Sequence, residues 1–191
     1  MKQSNSKVFL GRVLALVLAL SLLAACAPPA EQLPETGGTP GTDYAPPTSD
    51  ECQQLADIVQ TSLGVGDDAV TVQEDALFQD YITNQSGTGC QVTVTGTGAD
   101  FTNFTHFVEM SLALSGQLQT AGWTPDDAYV ADSPTGTAFA MRQDDRLVIA
   151  TVGWDPAPGV NCPTDQPISE CQVAPEQMNY TIRLNMARQA G

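Results

Sequence analysis

TAFAMRQDDRLVIATVGW, residues 137–154, reads as two strands joined by a tight turn. Apolar and small residues alternate on both sides of Gln143-Asp144-Asp145-Arg146, the pattern of a hairpin with one buried face. A two-residue Asp144-Asp145 turn sets Met141 opposite Val148 and Phe139 opposite Ala150. With Val152 and Trp154 these residues predict one apolar face. Farther along, Tyr180 to Met186 alternates in the same way. Tyr180, Ile182, Leu184 and Met186 point inward, and Thr181, Arg183 and Asn185 point outward.

Upstream of the hairpin the period changes. Phe104, Phe107, Val108, Ser111, Leu114, Leu118 and Ala121 recur at helical spacing. They predict a helix over 103–121, capped by Asp100 or Thr102, ended by Gly122 and followed by a packed Trp123. Earlier still, Cys52, Leu55, Ile58, Val59 and Leu63 predict a helix over 51–63. Asp50 and Gln53 form its expected capping pair, and Gly64 suits its end. Short strands are expected at 70–73 and 77–83. A Gly87-Thr88-Gly89 turn leads into a further strand from Cys90. The expected fold is α+β: an antiparallel sheet with two helices packed on one face, stapled by two disulfides.

Lys2, Lys7 and Arg12 precede an apolar run from Val13 to Leu23, the layout of an export signal. That run is too short to remain as a membrane-spanning helix. Leu23-Ala24-Ala25-Cys26 resembles the lipobox of bacterial lipoproteins. The resemblance implies a diacylglyceryl thioether on Cys26, cleavage before it, and acyl chains such as palmitate holding the chain to the cell membrane on its extracytoplasmic side. The pattern Leu118-x-x-x-Gly122-Trp123 followed by the hairpin is similar to small domains of uncharacterised bacterial lipoproteins and implies no catalytic residues. The expected division is a signal peptide over 1–25, lipidated Cys26 with a Pro/Gly-rich linker to 48, and one extracytoplasmic domain over 49–191.

Four arginines and 22 acids follow residue 25, a net charge of −18 without a lysine. Such a surface repels nucleic acid, so no nucleic-acid partner is expected and membrane attachment falls to the lipid. Another envelope protein or a small ligand is the expected partner. Cys52, Cys90, Cys162 and Cys171 are even in number in an exported chain, and local pairing gives Cys52–Cys90 and Cys162–Cys171. They lack the spacing of a zinc site, and no cofactor or metal is expected.

His106, the single histidine, lies four residues before Met110, an incomplete copper-ligand pair. No Gly-x-Ser-x-Gly elbow occurs, and a Ser/Lys pair is impossible after residue 25. Adjacent acids at 67–68, 74–75, 126–127 and 144–145 are read as solvated turns. Asp126, Asp127 and Asp132 come nearest to a weak calcium site. The long connection 155–178 carries five prolines and two cysteines, more than a compact domain needs. Its residues Thr164, Asp165, Gln166, Ile168 and Ser169 are the candidate contact surface. The expected function is a lipid-anchored binding or accessory domain. The alternatives are a surface hydrolase using carboxylates and a structural envelope lipoprotein.

Overall fold

The hairpin forms in the expected register, with Met141 opposite Val148 and Phe139 opposite Ala150. Asp144 takes the left-handed conformation that a two-residue hairpin turn requires. The computed structural model describes residues 43–163, 165 and 167–190. In chain order these form β1 (Tyr44–Ala45), α1 (Ser49–Leu63), β2 (Val70–Asp80), β3 (Gln85–Thr97) and α2 (Phe107–Thr120). Then follow β4 (Thr124–Ser133), β5 (Gly136–Gln143), β6 (Arg146–Pro156) and β7 (Met178–Gln189). The strands make one sheet in the order β2-β3-β1-β7-β6-β5-β4, with β3 and β7 also paired directly.

One face of this sheet is the core foreseen from the apolar periods. Val92 and Val94 of β3, Val148, Ala150 and Val152 of β6, and Ile182 and Leu184 of β7 are all buried. Leu55, Val59 and Leu63 of α1 and Met110, Leu114 and Leu118 of α2 join the same cluster. Cys52–Cys90 staples α1 to β3 inside it, and Cys162–Cys171 closes the long connection. Such pairs persist in an oxidising compartment. No helix among the described residues is long and apolar enough to cross a membrane.

The sheet is mixed rather than wholly antiparallel. Tyr44–Ala45, within the stretch read as linker, enters between β3 and β7, parallel to the first and antiparallel to the second. The folded chain therefore begins before Ser49. Gly87 and Gly89 are not a turn but the place where backbones meet. A Cβ on Gly87 would lie 2.1 Å from the Tyr44 carbonyl oxygen, and one on Gly89 2.4 Å from that of Met186. Only glycine permits that approach. The turn lies earlier, at residues 81–84, and β2 is one strand interrupted by a bulge between Gln73 and Ala76.

Both helix starts also differ from expectation. Thr48 and Glu51 cap α1, each side chain bonding the other's backbone N–H. Glu51 then reaches across to Arg146 on β6, at 3.0 Å, and to Arg188 on β7. It thereby fixes the helix start to the middle of the sheet, which Asp50 and Gln53 do not. Asp100 is occupied by the backbone and hydroxyl of Thr97. The second helix therefore begins at Phe107, with His106 as its cap.

Candidate functional site

The stapled connection lies at the end of the sheet opposite the point where the chain enters. Pro156 pairs with Met178 at one end of β6 and β7, whereas Tyr44 pairs with Gln189 at the other end of β7. Ala157 donates to the Gln177 carbonyl at 2.7 Å, closing the base of the connection. Ile168, expected to be offered to a partner, is instead half-buried against the main core together with Val173. Asp165 is exposed. Ser169 lies in a short 3-10 turn, and Thr164 and Gln166 fall outside the described residues.

A different surface arises where β4 leaves its neighbour. Asp126 pairs with Ala140 and Ala131 with Ala138, so β4 spends five steps where β5 spends two. The three extra residues make a wide bulge. It turns Tyr129 toward the far face of the sheet and leaves Val130 outside, 58% exposed. Between this bulge, β5 and α2 opens a cleft of about 270 Å³. Val108 and Leu112 of α2 and Val130 of β4 line it, with Asp127 and Asp132 at its rim.

The α2 side of the cleft is apolar for a reason visible in the helix itself. Phe107, Met110, Leu114 and Leu118 are buried beneath it. Val108 and Leu112 form a second apolar ridge, of which Leu112 is 65% exposed. Glu109 is the only charged residue of the helix, and it bonds the backbone and hydroxyl of Thr105. A helix apolar on more than one side ordinarily has a partner on each.

Beneath the bulge lies a polar chain that runs from half-buried Arg142 and Asp126 to buried Tyr129, Asp80 and Tyr44. Arg142 holds Asp126 at 2.6 Å and donates to the Tyr129 hydroxyl at 3.2 Å. Tyr129 donates to Asp80 at 2.7 Å, and Tyr44 donates to the same carboxylate oxygen at 2.8 Å. The other oxygen of Asp80 accepts from the N–H groups of Ile82 and Thr83. Asp80 is fully buried. Burial alone would raise its pKa, but the bonds from Tyr129, Thr83 and Tyr44 outweigh burial and hold it below the usual carboxylate range. Burial and then the adjacent Asp80 push Tyr44 up to about 12 and raise Tyr129 as well. Asp80 stands on β2 and Tyr129 on β4, the two edge strands, so this side-chain hydrogen bond spans the far face of the sheet from one edge strand to the other. Phe78, Ala140, Leu147 and Ala187 pack around this bond as a second cluster.

Comparison with known proteins finds no matching family model, no matching curated protein and no matching solved structure.

The remaining candidates are dispersed. His106 caps α2 through Nδ1, which accepts from Val108 N–H at 3.3 Å, whereas Met110 is buried in the core. Asp126 is engaged by Arg142 and Asp132 by the Thr137 hydroxyl, leaving Asp127 the carboxylate of that trio turned to solvent without such a bond. Among the described residues no three His, Cys, Asp or Glu side chains are placed to hold a metal. The cleft escaped sequence reading because β4 itself did. Thr-Pro-Asp-Asp-Ala-Tyr carries no strand pattern. Val108, read as part of the buried helix face, is 42% exposed, and Leu112 and Val130, which no apolar period explained, were a usable signal.

Proposed function

We propose that the chain is a lipid-anchored extracytoplasmic binding domain that holds a partner polypeptide in the α2–β4 cleft. The observation that carries the binding surface is the uncovered Val108–Leu112 ridge beside exposed Val130. Leu23-Ala24-Ala25-Cys26 supports the anchor, and two disulfides suit an oxidising destination. The cleft is wide enough for one or two apolar side chains and too small for a whole lipid. Asp127 and Asp132 at its rim, on a strongly acidic chain, favour a segment whose apolar residues are flanked by positive charge.

Two measurements test this reading. Mass spectrometry of the membrane-bound protein should find Cys26 as the acylated N-terminus, and Cys26→Ser should abolish that modification. Photoreactive residues placed at Leu112 and at Val130 in the native envelope should label one and the same polypeptide, through a basic apolar segment. Leu112→Asp should remove the label obtained from Val130. Labelling from Asp165 with silence at both cleft positions would move the contact to the stapled connection.

A further inference from the structure

The tip of the β2–β3 hairpin has an unusual surface for this molecule. Leu77 is 72%, Tyr81 82% and Ile82 58% exposed. Single exposed apolar side chains are ordinary on protein surfaces. Here three fall within six residues, on a stretch without exposed charge. From Ala76 to Cys90 the only charged residue is Asp80, and it is fully buried, in a chain with 22 acids. Asp80 also accepts from the N–H groups of Ile82 and Thr83, so the carboxylate that ties the sheet edges together also shapes the turn.

The tip lies where the chain arrives. Tyr44 pairs with Gly87, and Gly87 with Phe78, three residues before Tyr81. Because β1 runs parallel to β3, the chain enters the sheet from the side of residues 81–84. Asp43 lies seventeen residues after Cys26, a reach of at most about 60 Å.

We infer that this tip rests on the bilayer that holds the Cys26 lipid, with Ile82 among the upper acyl segments, Tyr81 at headgroup level and Leu77 farther up β2, above the membrane surface. The inference relies on the anchor proposed above. Tyrosine suits that depth because its ring is apolar and its hydroxyl finds water. The lipid supplies proximity, so a small apolar contact suffices to orient the domain. Contact through uncharged residues also accommodates a protein that anionic headgroups repel. The domain then stands with its stapled connection directed away from the membrane.

The test uses the mature chain purified from membranes and reconstituted into phosphatidylcholine vesicles with brominated acyl chains. Tyr81→Trp and Asp165→Trp are compared after subtracting the emission of Trp123 and Trp154, measured on the unsubstituted chain, and Cys26 acylation is measured on the same samples. With Cys26 acylated, emission from Tyr81→Trp should shift to the blue and be quenched by bromine, unaffected by salt, while that from Asp165→Trp is not. Acylated Cys26 with an unquenched Tyr81→Trp overturns the inference and leaves the anchor standing. A blue shift that grows with protein density without bromine quenching assigns the tip to a second copy of this chain and also overturns it. Cys26 without acyl chains overturns both readings.

Discussion

The helix-covered face and the far face of the sheet are cores of different construction. The first is built from side chains that recur along single elements, Ile182 and Leu184 on β7 or Leu114 and Leu118 on α2. The second takes Tyr44, Phe78, Tyr129, Ala140, Leu147 and Ala187 one at a time from six strands. Burial of hydrocarbon suffices for the first. The second surrounds a buried carboxylate, which is tolerable only because Tyr44, Tyr129 and two backbone N–H groups satisfy it. The difference teaches that a face can be closed by one polar hub when no apolar period exists to close it.

That comparison breaks most readily at Asp80. Asp80→Ala leaves two tyrosine hydroxyls and two N–H groups without their acceptor and should cost about 3–5 kcal/mol in denaturant unfolding. Leu114→Ala on the helix-covered face should cost a similar amount, about 2–5 kcal/mol, through a cavity. If Asp80→Ala proves as stable as wild type, the far face is not a core. Removing a single donor sharpens the point. Tyr129→Phe should cost about 1–2 kcal/mol and loosen β4 in hydrogen exchange while leaving α1 unchanged.

Acid distinguishes the faces further. The folded Asp80 carboxyl binds its proton less readily than the unfolded one, so its stabilisation is complete above about pH 4. It is lost as pH falls through the lower folded value. Thermal unfolding of wild type and Asp80→Asn should therefore differ most near neutrality and converge toward pH 2. Leu114→Ala should keep a constant offset across that range. An Asp80→Asn offset that does not shrink would assign the effect to packing.

What was legible follows the same division. The hairpin register, the inward set of β7 and both disulfide pairs were readable because each depends on neighbours in sequence or on a period. β1 was not, because Tyr44 is a single apolar residue among prolines and glycines, and its partners Gly87 and Asp80 lie about forty residues away. β4 was missed because β5, not its own composition, draws it into the sheet. The bulge after Gln73 broke one strand into two apparent ones, since one extra residue inverts the alternation. The candidate site inherited that blindness. Proline and cysteine drew attention to 155–178, whereas the exposed ridge becomes visible only once α2 has a buried side to compare it with.

The smallest expected effect on stability belongs to the proposed contact surface. Leu112→Asp replaces a largely exposed side chain and should change unfolding free energy by less than about 0.5 kcal/mol, yet remove partner binding. A loss comparable to that of Leu114→Ala would mean the ridge is part of the core.

Hydrogen–deuterium exchange, compared between the protein in the cells that make it and the purified state, tests the central claim most directly. Binding in the α2–β4 cleft predicts protection in the cellular sample alone over residues 108–119 and 125–132, with residues 157–177 exchanging alike in both. Protection confined to 157–177 would contradict the account.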